Sequence, residues 1–142
     1  MAYATSAEIT IAAGGAERLV QLMDWDSDGV ADAAVIAQLQ TEVDAWIDSY
    51  AGRRFAVPIA APTGALRLHA AEEVIYRARL KRGGVGEEHA QAHTDRVAWL
   101  EGIARGHVVP SEPQPAPATS VRSVWITRDE NEVSREKLKG AW

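Results

Sequence analysis

Between Asp32 and Tyr50 the apolar residues recur at a spacing that only a helix can use. Val35, Ile36, Leu39, Val43, Trp46, Ile47 and Tyr50 fall on one arc of about 120° when wound at about 100° per residue, and Gln40, Thr41, Glu42, Asp44 and Asp48 fall opposite. A helix with one apolar face must bury that face against something else. The rest of the chain therefore has to supply partners for it.

Those partners are also helical by pattern. In "TSAEI", Thr5 or Ser6 can accept from free backbone N–H groups, and Glu8 lies three residues after Thr5, the spacing of a capping box. A short helix is expected there, and a second, carrying Leu19, Val20 and Leu22, after Gly14 and Gly15. Both are too short to stand alone in water. "RRFAVPIAAPTG" reads as an extended connection, because Pro58 and Pro62 lack the N–H that a helix interior needs. A longer helix follows from near Pro62 to about Arg82, with Leu66, Ala70, Ala71, Val74, Ile75 and Ala78 on a broad face whose alanines favour close packing. "RGGVGEE" ends it. Another runs from about Glu87 to Arg105, with Val97, Leu100, Ile103 and Ala104 inward and Trp99 at the edge, and Gly106 stops it. The fold class expected is mainly α: a small bundle of two short N-terminal helices and three longer ones, followed by an extended C-terminal arm containing a short strand.

The division along the chain follows from composition. Residues 1–106 make the helical body. Residues 107–120, with prolines at 110, 113, 115 and 117, read as a spacer. At about 3 Å per residue it would reach roughly 40 Å. Residues 121–142 form the arm, where Val121, Val124, Trp125 and Ile126 are strand-like and "SREKLKGAW" is net positive. So short an apolar segment is expected to find its partner on another surface, the alternative being a disordered tail.

With 142 residues and 46% apolar content, the chain suits one domain with a real core. It has no cysteine, which excludes disulfides and thiolate metal sites. The start "MAYATSAEIT" lacks the basic and apolar regions of a signal peptide, and a soluble protein made in a cytoplasm is expected. The net charge of -5 argues against nucleic-acid binding through a basic patch. Its distribution is uneven: residues 1–50 hold nine acids and one base, whereas residues 51–106 hold nine bases and six acids. Two ordinary solvated surfaces account for this split, and so does a head-to-tail assembly in which the acidic part of one copy faces the basic part of the next.

"DWDSDGVADAAV" carries the one motif with a defined chemistry. Asp24, Asp26, Asp28 and Asp32 fill positions 1, 3, 5 and 9 of an EF-hand loop, Gly29 takes the sharp turn at position 6 and Val30 offers a carbonyl at 7. Position 12, where a bidentate glutamate should complete the shell, is Val35, a residue of the buried arc. A calcium site is thus an alternative to a structural role in which the aspartates cap the helix and hold the turn. His89 and His93 are four apart, without the glutamate or third ligand of a metalloprotease helix, and a surface pair is the plainer reading. "GGVG" lacks the lysine of a phosphate-binding loop, and the serines sit in no nucleophile elbow. Arg96, amid its helix's apolar arc, suits either an interface anchor or a snorkelling side chain. No catalytic constellation emerges, and no cofactor is expected.

Three stretches together, "YAT" near the start, "RLVQLMDWDSDGVADAAVIAQLQTEVDAWIDSYAGRRFAVPI" in the middle and "NEVSREKLKGAW" at the end, resemble the Mu-like phage head-tail connector family over nearly the whole chain. Its most specific marks are the aspartate-glycine turn leading into the amphipathic helix, the arginine-aromatic pair before a proline in "RRFAVP", and "SREKLKG". Glu132 and Val133 depart from a more basic and aromatic start to the last motif, and the proline spacer is longer than usual. The resemblance implies a virion protein of the neck between capsid and tail, made in the cytoplasm of a bacterial host and acting by assembly. It also implies a homo-oligomeric ring, usually of twelve copies, that contacts the portal and a stopper or tail-completion protein and lets genomic DNA pass without sequence-specific binding. For interfaces between subunits or with the portal, the residues singled out are Trp125, Ile126, Arg135, Leu138 and Trp142 in the arm and Arg53, Arg54 and Phe55 in the connecting loop, packing-only roles for the last three being an equal alternative.

Overall fold

Thr5 begins the first helix as the capping spacing predicts. In the computed structural model, which describes residues 2–113, the Glu8 N–H donates to Thr5 Oγ1 (3.3 Å) and the Thr5 N–H donates to Glu8 Oε2 (2.8 Å). That backbone N–H holds the Glu8 carboxyl below its ordinary range. Helix α1 spans Ser6–Ala13, and Gly14 closes it in the left-handed conformation. Helix α2 spans Ala16–Met23, α3 Ala33–Ala51, α4 Gly64–Arg82 and α5 Glu87–Arg105. Mainly α is therefore correct for the described body, with two short helices and three longer ones. The proposed strand, the spacer from residue 114 and the whole arm lie outside the described residues.

Helix α4 packs against all four other helices. Its sequence explains how: Ala70, Ala71 and Ala78 are fully buried beside Leu66, Val74 and Ile75, and small side chains let neighbouring backbones approach. The arc read from α3 is inward-facing, with Leu39, Val43 and Ile47 buried and Val35, Ile36, Trp46 and Tyr50 packed around them. Leu100 and Ile103 of α5, Met23 of α2 and Ile9 of α1 complete the core.

Two findings go beyond the pattern. Gln40, Asp44 and Asp48, which periodicity assigns to the solvent face of α3, grip the N-terminal segment. Gln40 Nε2 donates to the Ala4 carbonyl (2.8 Å), the Tyr3 N–H to Asp44 Oδ1 (3.1 Å), and the Tyr3 hydroxyl to Asp48 Oδ1. The same hydroxyl accepts from the Ile59 N–H at 2.8 Å, so one buried tyrosine ties the N-terminus to α3 and to the connection after it. Burial and the Asp48 bond raise the Tyr3 pKa, while burial also raises that of Asp44.

Composition alone starts the spacer at His107. In the structure, residues 107–112 instead return along the body. The Thr63 N–H donates to the Pro110 carbonyl (2.9 Å), the Glu112 N–H donates to the Ala61 carbonyl (2.8 Å), Pro62 and Ser111 form an antiparallel bridge, and Pro110 is fully buried. Proline cannot donate to a ladder, but its carbonyl accepts as well as any other. The connection before α4 provides that donor, the Thr63 N–H, and Thr63 then caps α4 through its side chain, which accepts from the Leu66 N–H.

Candidate functional site

The aspartate stretch folds as a closed loop between α2 and α3. The Asp32 N–H donates to the Met23 carbonyl (2.9 Å), and the Trp25 N–H donates to Asp32 Oδ2 (2.9 Å). Asp24 accepts from the N–H groups of Asp28 (3.1 Å) and Gly29 (3.0 Å), Asp26 from Asp28 (3.2 Å), and Asp28 from Val30 (2.8 Å). Gly29 sits at φ 86°, the left-handed turn that its place in the loop calls for. Helix capping by these side chains is not what the structure contains. Asp32 occupies the N-cap of α3 but its carboxylate bonds no N–H of that helix; its Oδ2 accepts from the Trp25 N–H of the loop instead. The carboxylates hold the loop, and the loop sets the helix.

One oxygen each from Asp24, Asp26 and Asp28 lies within 4.8 Å of the others, a spacing that a cation could share. Although desolvation opposes it, the N–H donors of Gly29, Asp28 and Ser27 and a bond from Asp26 hold the Asp24 carboxyl below its ordinary range. Desolvation and the neighbouring carboxylates push Asp26 up. Position 12 is filled as expected by Val35, which packs on the core and offers no oxygen. The set is thus three clustered carboxylates short of a full calcium shell. His89 and His93 do not join a group of three ligands among the described residues.

The second sequence-predicted site lies at the other end of α3. Arg53 and Arg54 are exposed, and Phe55 is half-buried against the core. The Arg53 guanidinium lies 5.8 Å from the Tyr50 ring centre. Arg54 covers Gly106, where its Nη1 would lie 2.8 Å from any added Cβ, beside the carbonyl end of α5 that favours a cation. Phe55 thus packs against the core while keeping part of its surface open, whereas the two arginines face solvent. Trp125, Ile126, Arg135, Leu138 and Trp142 lie outside the described residues.

Sequence reading missed a third feature. Glu73 of α4 is 1% exposed and serves three donors: Arg77 Nε (3.2 Å), Arg96 Nε (3.1 Å) and His93 Nδ1 (2.9 Å). Arg96, 4% exposed, also lies 3.7 Å from Glu72. It neither snorkels nor presents itself at a surface, as its position amid apolar neighbours had suggested, since a buried guanidinium needs a carboxylate and Glu73 supplies one. The ring of His93 is stacked between Tyr76 (centroids 4.4 Å apart) and Trp46 (5.8 Å). Its pairing with His89 dissolves accordingly: one imidazole belongs to the core network, the other to the surface between α4 and α5. The available signal was a glutamate within the apolar face of α4 matched by an arginine within that of α5, but nothing in either helix alone says that the two meet.

The architecture so far defines a small all-α bundle whose conspicuous surface groups, aspartates and arginines, sit in loops at opposite ends of α3. The chain belongs to the family described as Bacteriophage Mu, Gp36, whose model matches residues 3–125, a span that takes in the five helices of the described residues. The resemblance to a Mu-like phage family is therefore correct at the level of the family. No curated protein matches the chain.

Proposed function

We propose that this protein is a structural head-tail connector, an adaptor that assembles as a ring beneath the portal, joins capsid to tail through a stopper or tail-completion protein, and leaves a channel for the genome. In this reading it is a virion protein of the neck, it acts without catalysis or cofactor, and the ring holds about twelve copies, the usual number implied by the resemblance. The observation that carries the reading is the family match over residues 3–125, a span that includes the described helical body. The acidic balance of -5 is consistent with a conduit, because a lumen that attracted phosphate strongly would retain DNA instead of letting it slide.

The arm residues Trp125, Ile126, Arg135, Leu138 and Trp142 are proposed to dock on the portal or a neighbouring subunit. Deleting residues 121–142 should abolish incorporation into particles while the body keeps its helical circular dichroism and cooperative melt. Full incorporation of the truncated protein would remove the arm from the mechanism. A second reading, a calcium-dependent binding module, rests on the clustered oxygens of Asp24, Asp26 and Asp28.

A further inference from the structure

Arg53 and Arg54 are neighbours in one exposed loop, whereas most other cations of the body are held by partners. Arg67 pairs with Glu8, Arg77 and Lys81 with Glu42, Arg96 with Glu73 and Arg105 with Glu101. Arg82 is held by the carbonyls of Leu22 and Asp24. Among the described residues, Arg53 and Arg54 have no such carboxylate; Arg18 of α2 and Arg79 of α4 have none either, but of these four only Arg53 and Arg54 adjoin, in one loop. Beside them Val57 is 41% exposed, which makes the loop after α3 a basic surface with an apolar floor.

The complementary surface is carried by the same chain. The loop before α3 displays Trp25 (46% exposed) and Val30 (63% exposed) among Asp26 and Asp28, which pair with no cation among the described residues. Its internal hydrogen bonds hold it in one shape, so little ordering is needed on contact. An exposed tryptophan ringed by polar groups has the composition of an interface anchor. The 19 residues of α3 separate the two loops by about 28 Å, at about 1.5 Å per residue. They therefore cannot meet within one copy.

We infer that the Arg53–Arg54–Val57 loop is the docking surface for the Trp25-bearing aspartate loop of a second copy of this chain. Two different patches at opposite ends of one helix make a heterologous contact, which repeats from copy to copy and closes into a ring or continues as a filament. The assembly reading above is deepened here, and only the closure into a ring rests on it. The contact itself is tested in solution, apart from any phage particle. Because the charges on both loops are exposed, the association weakens as salt screens them.

The absence of cysteine allows a direct test in the full-length protein. Asp26→Cys and Arg54→Cys variants, mixed under mild oxidation, should give a mixed 26–54 disulfide dimer in excess of either like-with-like dimer. A chain carrying both substitutions should give a ladder on a non-reducing gel. Sedimentation of an R53E/R54E variant should show self-association weakened by about tenfold or more, as like charges now face each other. Adding D26R/D28R to that variant should restore it. Like-with-like dimers alone, no cross-link at any concentration, or charge reversal without effect on association would each overturn the contact. Circular dichroism of every variant separates these outcomes from misfolding. Should the contact hold while the protein stays out of phage particles, the connector reading fails and the heterologous contact stands.

Discussion

Replacing Glu73 by alanine removes one carboxylate and strands three donors, and the structure indicates how unevenly they respond. Arg77 is about a quarter exposed and retains Glu42 at 3.8 Å, so it loses little. His93 is partly exposed and can turn to water. Arg96 is 4% exposed and keeps only Glu72, at 3.7 Å. Removing one partner of a buried ion pair costs about 3 to 5 kcal/mol, mainly from the charge left behind. The remaining Glu72 contact puts Glu73→Ala near the lower end, about 3 kcal/mol. For a body of this size about 1 kcal/mol moves the midpoint by roughly 4 °C, so a drop of roughly 12 °C is expected in thermal melts followed by circular dichroism. Replacing both partners, Glu73→Met with Arg96→Met, removes the stranded charge as well and should recover most of the loss. If Glu73→Ala costs under about 1 kcal/mol, or the double variant is the less stable of the two, the carboxylate is not what keeps Arg96 inside.

His69 lies against Trp99 with ring centres 4.5 Å apart and with its Nδ1 buried and unbonded; burial pushes its pKa below the ordinary 6.5, Glu72 opposing and Arg96 reinforcing the shift. Its folded state prefers the neutral ring, so stability is complete above pH 6.5 and falls as the pH drops through the lower folded value; urea melts at pH 7.5 and 5.5 should show a smaller difference for His69→Phe than for the native chain. Tyr3→Phe leaves the Ile59 N–H without its acceptor in a buried site and should cost about 1 to 3 kcal/mol in urea unfolding, with a loss below 0.5 kcal/mol showing that the tether contributes little. Calorimetry with calcium should give no micromolar binding if the aspartate loop serves only itself and its contacts, whereas micromolar binding abolished by Asp26→Ala would establish the calcium module instead.

The legible parts of this fold were those decided within about one helical turn. Thr5 and Glu8 spell a capping box whose two ends are three residues apart, and the arc from Val35 to Tyr50 needs only its own period to declare a buried face. The candidate sites were legible as letters and not as roles. The aspartates were recognisable as a turn with too few ligands, yet their service to loop N–H groups instead of the N-terminus of α3 depends on which donors the closed loop presents. Arg53 and Arg54 were singled out through a resemblance, while only the structure shows that no carboxylate among the described residues lies beside them.

By itself, the sequence determined the number, kind and approximate limits of the helices among the described residues, because caps, glycine stops and apolar periodicity act between near neighbours along the chain. Tertiary structure alone decided that α4 lies at the centre, that the polar face of α3 holds Tyr3 and Ala4, that Pro110 returns to meet Thr63, and that Glu73 meets Arg96. The physical reason is common to these cases. A buried charge or N–H is tolerated only when another element brings its partner, and the pairing of residues 23, 41 or 47 positions apart leaves no period in the sequence of either one.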